Sequence, residues 1–230
     1  MPHGPLREVL PDVFLVTGTM RAKIAGVCWQ FSRNMIVLRE VCDLTLINTV
    51  RLDDEGLSAL DALGRVRHIL RLGDMHGLDD AFYAARYASA AHWGLPGMTP
   101  RMGLSPSKNL RKAMPVDGAS LFEFQTSKRP ECILRLDRGG GIALACDSLQ
   151  NWDEPDAFFN EGSTGLMREL GFFSSANCGV VWRHISDPKA EDFVRLKELP
   201  FEHALCGHGA PLLGGASTFF HASFAKLFGV

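Results

Sequence analysis

Residues 71–80, RLGDMHGLDD, determine the predicted fold. A strand-like apolar segment, 66–72, leads into this stretch, and a helix pattern, 79–88, follows it. Four side chains in the stretch can bind a metal, namely Asp74, His76, Asp79 and Asp80. Short loops at strand ends hold side chains rigidly, and glycine lets the backbone turn close to a bound ion, so the pattern indicates a functional loop. The alternative is structural: an acidic residue caps the helix and His76 is an ordinary loop histidine.

Two later stretches also place a polar side chain directly after an apolar strand. In residues 143–148, ALACDS, Asp147 closes the strand as either a turn residue or a bridging metal ligand. In residues 204–211, ALCGHGAP, His208 stands between two glycines, where an imidazole has little packing value. Both stretches are therefore candidate ligand loops.

The rest of the chain divides into short strands and helices. Strands are predicted at 12–17, 34–38, 43–48, 66–72, 90–93, 120–125, 131–136, 141–146 and 203–206. Helices are predicted at 53–63, 79–88, 165–170, 188–196 and 216–228. This order favours two mostly antiparallel sheets packed together, with helices outside, over a doubly wound parallel sheet.

Composition excludes several classes of protein. The chain has 230 residues, of which 46% are hydrophobic and 22% charged, so we expect one globular domain over 1–230. The net charge of −2 argues against a general affinity for nucleic acid or an anionic membrane. The sequence has no run of about 18 apolar residues, so no membrane span is predicted. The N-terminal residues lack the apolar core of a signal peptide.

The cysteines and the missing motifs narrow the choice further. None of the six cysteines forms a CxxC pair, which predicts free buried thiols in a reducing cytoplasm. The chain contains neither GxGxxG nor GxxxxGK[ST], which weakens a nucleotide-binding interpretation. It also lacks GxSxG, the nucleophile turn of an α/β-hydrolase.

The three loops, in this order, resemble the metallo-β-lactamase superfamily. The resemblance covers roughly residues 11–230 and implies an α+β fold, a four-layer αββα sandwich of two mixed β-sheets flanked by helices. It also implies a metal site at the sheet edges. Asp147 and His208 match the bridging aspartate and the final histidine of that superfamily.

The first loop departs from the superfamily pattern, which is HxHxDH after a strand. Here DMHGLDD allows two registers. With one inserted residue, Asp74 and His76 occupy the first two ligand positions, and Asp79 and Asp80 the last two. Without the insertion, His76 starts the motif and Asp80 is its aspartate. In either register, histidines are missing.

The resemblance implies a metal-dependent hydrolase with a reduced, mononuclear site. The loop at 124–131 lacks the superfamily's middle histidine, and Glu131 is a substitute oxygen ligand. The expected metal ligands are His76, Asp80, Glu131, Asp147 and His208. This carboxylate-rich set suits Mn²⁺ or Fe²⁺ as well as Zn²⁺, and one divalent ion with an open coordination position is enough for catalysis.

Further site residues are assigned by their positions beside these loops. Asp79 and Asp80 are the expected catalytic residues. The expected substrate-binding residues are Lys128, Arg129, His92 and Trp93, for which packing or a solvated rim is the alternative. The expected partner is a small-molecule substrate, with no nucleic acid and no membrane, and the apolar face of 218–228 makes a homodimer possible.

Two other functions stay open at this stage. The missing histidines suit a relative of the fold that has lost catalysis and serves as a binding or assembly module. The carboxylate-rich ligands suit an iron-dependent redox protein.

Overall fold

The structure, a computed structural model, describes residues 2–24 and 26–230. The first sheet has seven strands in sequential order. They are β1 (Arg7–Leu10), β2 (Val13–Ile24), β3 (Val27–Glu40), β4 (Asp43–Ile47), β5 (Arg65–Leu70), β6 (Ala91–Gly94) and β7 (Lys108–Asn109). Strands β1 to β4 pair antiparallel, and β4 to β7 pair parallel, so the sheet is mixed.

The second sheet has five strands in the order β14-β13-β10-β9-β8. They are β8 (Ala119–Glu123), β9 (Cys132–Leu136), β10 (Ile142–Leu144), β13 (His203–Leu205) and β14 (Leu212–Leu213). Only β10 and β13 pair parallel within it. A separate antiparallel pair consists of β11 (Leu149–Trp152) and β12 (Ser174–Cys178).

Six helices are present in the described residues. They are α1 (Asp54–Leu63), α2 (Asp80–Arg86), α3 (Glu161–Glu169), α4 (Val180–Ser186), α5 (Ala190–Lys197) and α6 (Ala216–Phe228). Helix α1 has two leucines, Leu57 and Leu60, on one buried face, and the Asp53 side chain caps its start by accepting the Gly56 N–H.

Three apolar clusters show how the elements stack. The first lies between the two large sheets and joins residues such as Leu15 of β2 to Leu134 of β9. The second lies between the first sheet and helices α1 and α2. The third lies between the second sheet and helices α4, α5 and α6. The order of layers is therefore helix, sheet, sheet, helix, which confirms the predicted αββα sandwich.

The β2–β3 hairpin is much longer than predicted, because the predicted strands 12–17 and 34–38 cover only its inner half. The sequence of the outer half does alternate between polar and apolar residues at 19–24 and 29–32, a strand pattern that the prediction missed. Its apolar residues Trp29 and Phe31 pack on aromatic side chains more than 100 positions away, namely Trp152 and Phe172. This long-range packing adds to the local strand preference.

Helix α4 was not predicted either. Its sequence, VVWRHIS, opens with two β-branched residues, which disfavour helix. The helix forms because Trp182 is 1% exposed and packs against Phe124, with the ring centroids 4.8 Å apart. Tertiary burial thus overrides the local preference.

Helix α6 is amphipathic and packs its apolar face against the second sheet. Phe220 and Phe224 are fully buried under the second sheet, whereas Phe219 is 54% exposed. A homodimer through this helix stays a prediction. Among the described residues, no helix combines the length and the apolar character needed to cross a membrane.

A buried aspartate ties α5 to the loop that follows β8. Asp192 has no exposed surface, and its carboxylate accepts hydrogen bonds from the Gln125 and Thr126 N–H groups and from the Thr126 hydroxyl. Arg195 pairs with it one helical turn away. Burial by itself raises the pKa of this carboxyl, but the hydrogen bonds and Arg195 lower it more, so the net pKa lies below its usual value.

We predict that Asp192→Asn lowers the free energy of unfolding at pH 7 by about 2 kcal/mol, because the amide loses the charge-assisted bonds and presents N–H groups to other donors. Since the folded-state pKa is depressed, this contribution is complete above the unfolded-state pKa of about 3.9. It disappears as the pH falls through the folded-state value. Urea unfolding between pH 7 and pH 3 measures it.

Glu191→Gln is the matched control, because Glu191 precedes Asp192 in the same helix and is exposed. Its effect is expected within about 0.5 kcal/mol at every pH. An Asp192→Asn penalty that did not shrink below pH 4 would contradict the charge-based explanation.

Candidate metal centre

Three loops converge at the carboxyl ends of strands β5, β10 and β13. His76 lies in the turn between β5 and α2, Asp147 follows β10, and His208 follows β13. Strands β10 and β13 are parallel neighbours, with Leu144 opposite Leu205, so both loops leave the sheet at the same edge. The carboxyl ends of parallel strands are where ligands bind in many α/β sheets.

The three side chains are almost equally spaced. His76 Nε2 lies 3.2 Å from His208 Nε2 and 3.5 Å from Asp147 Oδ2. His208 Nε2 lies 3.1 Å from Asp147 Oδ1. Ligands about 2.0–2.1 Å from one tetrahedral ion are about 3.3 Å apart. The three side chains, which we call the metal triangle, are therefore spaced like ligands of one tetrahedral ion, with Asp147 contacting His76 through Oδ2 and His208 through Oδ1.

A hydrogen bond on its far side fixes the orientation of His208. Its Nδ1 lies 2.9 Å from the carbonyl oxygen of Ser32, which can only accept, so Nδ1 carries the hydrogen. The other ring nitrogen, Nε2, then faces His76 and Asp147. This is the arrangement in which histidines bind metals, with the second nitrogen held by a backbone or carboxylate oxygen.

Cys146 supplies a further donor beside the triangle, one that the sequence analysis assigned to the buried thiols. Its sulfur lies 3.5 Å from Asp147 Oδ2, and the ligand atoms of His76, Cys146 and Asp147 all lie within 4.8 Å of one another. Its position next to Asp147 at a strand end was the available signal. Burial and the nearby carboxylates raise the pKa of this thiol, and a bound cation opposes that shift.

The two carboxylates of the centre differ in their surroundings. Burial raises the pKa of Asp147, but the charges and hydrogen bonds of His76 and His208 more than offset this, and the net pKa falls well below its usual range. Burial and the charge of Asp147 together raise the pKa of Glu131. Glu131 accepts the N–H of Ser148 and is 1% exposed. It lies outside the 4.8 Å group, so its ligand role stays a prediction.

The aspartates of the first loop all have partners elsewhere. Asp79 pairs with Arg33 and accepts the Arg51 N–H at 2.8 Å; it makes no capping bond to α2. Asp80 accepts the Thr49 hydroxyl at 2.7 Å and contacts His92 Nε2 at 3.0 Å. Neither joins the 4.8 Å group. The catalytic roles of both, and the ligand role of Asp80, stay predictions.

Asp74 is the most heavily engaged of the loop aspartates. Its two oxygens accept bonds from Arg71, from Arg129 and twice from Thr99. Burial raises the pKa of this carboxyl, but these donors lower it more, and it stays ionised. The fully buried Arg71 also donates to the Gly73, Asp74 and Thr99 carbonyls, so it fixes the turn that carries His76.

A cavity of about 400 Å³ opens beside the metal triangle. Its walls are mainly apolar and come from the β2–β3 hairpin, β11, α3 and α4, with Trp29, Phe31, Met167 and Phe172 among the lining residues. Three arginines also line it, namely Arg33, Arg101 and Arg129. Arg33, Arg101 and the aromatic wall were not predicted, because nothing near them in sequence carries a motif.

The four predicted substrate-binding residues lie in different places. Arg129 lines the cavity. Lys128 points away from it and pairs with Asp187 at 2.9 Å on the surface. His92 is buried beneath the loop on Asp80, and the Trp93 indole donates to His68 Nδ1 at 3.1 Å. Their roles in substrate binding stay predictions.

Comparison with known proteins identifies the architecture. No family model and no curated protein matches the chain. Among solved structures, the DIM-1 metallo-β-lactamase exposed to ceftazidime has a TM-score of 0.62 at 13% identity, over 98% of this chain and 99% of that one. The metallo-β-lactamase of Erythrobacter litoralis has a TM-score of 0.58 at 12% identity, over 96% and 92%.

A third similar structure is that of a zinc-bound protein. FIM-1 from Pseudomonas aeruginosa, in its mono-zinc form, has a TM-score of 0.58 at 13% identity, over 97% of this chain and 96% of that one. The likeness extends over nearly the whole of each chain, and identities this low carry the fold alone. The chain therefore has the metallo-β-lactamase fold, as its three loops predicted.

Proposed function

We propose that the protein is a metal-dependent hydrolase that holds one divalent ion between His76, Asp147 and His208. The close approach of the three side chains, with 3.1–3.5 Å between their nearest nitrogen and oxygen atoms, is the observation that supports this most directly. The three-ligand set leaves a fourth tetrahedral position for water or substrate. The ligand atoms of Cys146, His76 and Asp147 lie within 4.8 Å of one another, but His208 is not part of that group. We therefore place Cys146 beside the ligands and do not count it as one of them.

The aspartates of the first loop already have partners, which favours one bound ion over two. A second ion needs carboxylates that are free to bind it, and Asp74, Asp79 and Asp80 are engaged by arginines, a histidine and hydroxyl or backbone donors. We assign Asp79 and Asp80 as positioning residues that fix His76 through the loop. Two histidines and one carboxylate form a borderline ligand set that Zn²⁺, Mn²⁺ and Fe²⁺ can share.

Hydrolysis at this site needs little besides the ion, a base and space. A bound divalent ion supplies Lewis acidity, which polarises a substrate oxygen and lowers the pKa of water. The oxygen of one water forms a bond to the carbonyl carbon or phosphorus, and the bond to the leaving heteroatom breaks. Asp147, the only carboxylate in the cavity lining, is a weak base because its pKa is depressed, so the proton of this water passes to solvent base and the leaving heteroatom takes a proton in turn.

An iron-dependent redox protein is the second candidate, because two histidines and one carboxylate also form the ligand set of non-haem Fe(II) oxygenases. Elemental analysis separates the two: zinc or manganese with hydrolysis supports the first, and iron with oxygen consumption supports the second. The inactive binding module, in which Lys128 or Arg129 would fill the pocket, stays a third candidate: Lys128 pairs with Asp187 on the surface, whereas Arg129 lines the cavity.

We predict about one divalent ion per chain in the purified protein, measured by elemental analysis. Asp147→Asn and His208→Ala should each lose most of it, because each removes one of three ligands. The matched controls are Asp153→Asn and His184→Ala, which change exposed residues of the same types. Metal-free native protein, or equal metal content in all four variants, would exclude the site.

Removal of metal should also lower thermal stability. A ligand at 100 times its Kd stabilises the folded state by about 2.7 kcal/mol, which for a chain of this size corresponds to roughly 5–10 °C in Tm. We therefore expect a chelator to lower the Tm of the native protein by about that much. The Tm of Asp147→Asn should not respond to the chelator, and a response of equal size there would place the metal elsewhere.

Activity should follow the same residues. Against a panel of p-nitrophenyl esters, lactones, thioesters and phosphodiesters, we expect at least one class to be hydrolysed and the chelator to stop it. Asp147→Asn should reduce kcat/KM by about 100-fold or more, since loss of even a ligand's supporting partner costs 10- to 100-fold. Asp153→Asn should leave it unchanged. Metal binding without hydrolysis of any substrate class would support the metal site and refute the hydrolase function.

A further inference from the structure

The cavity contains more positive charge than its own carboxylates balance. Three arginines line it, and the only carboxylate in the lining is Asp147, which belongs to the metal triangle. Arg33 is matched, because it pairs with Asp79. Arg129 shares Asp74 with Arg71, and Arg101 makes no ion pair in the described part of the chain, so the excess charge lies around Asp74.

Arg101 and Arg129 both contact Asp74, whose carboxylate already accepts as many hydrogen bonds as it can. A carboxylate offers about four acceptor sites, and Asp74 already receives four hydrogen bonds, one of them from Arg129 Nη1 at 2.8 Å. Arg101 reaches only the Asp74 backbone carbonyl, at 2.8 Å, and so gains no ion pair from it. With Arg71, three guanidinium groups surround one saturated carboxylate.

Donors on both guanidinium groups remain unused. The Arg101 Nε is buried and has no hydrogen-bond partner among the described residues. Arg129 uses only Nη1, and its side chain is 43% exposed at the cavity edge. A buried charged donor without an acceptor is costly, so an oxyanion held by the reachable donors of these two guanidinium groups would stabilise the site.

The rest of the cavity lining is mainly apolar. Trp29, Phe31 and Phe172 face the space from the hairpin and the segment after α3, and Val180 and Trp182 line it from α4. A ligand that satisfies both parts of the lining has an apolar body and an anionic end. Such ligand sites combine apolar walls with a few placed polar groups that fix orientation.

We propose that the cavity binds an amphipathic organic anion, whose carboxylate or phosphate is held by Arg101 and Arg129 and whose apolar body lies on the aromatic wall. The identification of this anion as the substrate rests on the proposed hydrolase function, whereas the binding itself does not. The guanidinium fork suits both carboxylate and phosphate oxygens, so the shared chemistry is an oxyanion on an apolar chain.

Matched probes test this with the chain's own fluorescence, since three of its four tryptophans line the cavity. The probes are octanoate, octyl phosphate and octan-1-ol, which share one apolar body. Titration is done on the full chain as purified and again after removal of metal by chelator. We expect both anions to bind at least ten-fold more tightly than octan-1-ol in both preparations. The tighter of the two anions identifies the group.

The variants are Arg101→Gln and Arg129→Gln, with Arg67→Gln as the control, because Arg67 is on β5, outside the cavity, and is 44% exposed, like Arg129. Either cavity variant should weaken the anions about ten-fold and leave octan-1-ol unchanged. A variant that merely misfolds would lose all three probes, and the half-exposed Arg129 gives a second test should Arg101→Gln fail to fold. Arg67→Gln should bind like the native protein.

The possible outcomes separate this inference from the hydrolase. Equal binding of octanoate and octan-1-ol, or a preference that survives in both arginine variants, overturns the anion site even where the protein binds metal and hydrolyses esters. A preference that depends on the arginines in metal-free protein supports the anion site even where no hydrolysis is found. A preference seen only with metal present assigns the carboxylate to the ion and overturns the arginine site.

Discussion

The parallel pairing of β10 with β13 is the constraint on which the candidate centre depends. Leu144 lies opposite Leu205, so the segments that carry Asp147 and His208 leave the second sheet side by side. The first sheet then only has to bring His76 to the same edge, and β5 does so because its cluster with β9 and β10 fills the space between the sheets. A shift of one residue in the β10–β13 register would turn each alternate side chain to the other face and break the triangle.

Steric room at this edge explains the glycines of the motifs. A Cβ at Gly73 would lie 2.6 Å from the Cys146 sulfur and 2.7 Å from a Glu131 oxygen, so the first loop can pass the centre only with glycine there. Gly209 has a φ of +86°, and its Cβ would lie 2.0 Å from the Asn151 carbonyl oxygen. The glycines beside the candidate ligands therefore let the loops approach each other, which is a packing requirement as much as a functional one.

Much of the fold could be predicted from the sequence, because its strands alternate and its loops carry recognisable side chains. The segments before His76, Asp147 and His208 read as strands, and their order indicated the αββα sandwich. Helix α4 could not be predicted in this way, since Trp182 is stabilised by a partner distant in sequence. The outer β2–β3 hairpin alternates at 19–24 and 29–32, so its strands were within reach of the sequence and were missed. The convergence of His76, Asp147 and His208 followed from loop order, but the partners of Asp74, Asp79 and Asp80 did not. A carboxylate in a loop looks the same in sequence whether an arginine or an ion balances it.

Those arginines change what the centre can hold. In the first loop, guanidinium groups from four different segments, Arg33, Arg71, Arg101 and Arg129, surround the aspartates that a second ion would need. A second divalent ion there would meet both occupied carboxylates and fixed positive charge, and both raise its free energy. This arrangement supports the proposal that the centre binds one ion and not two. Because these guanidinium groups are attached to the protein and outnumber the acids that they contact, their remaining donors are available to the anion that we propose enters from the cavity, beside the proposed ion.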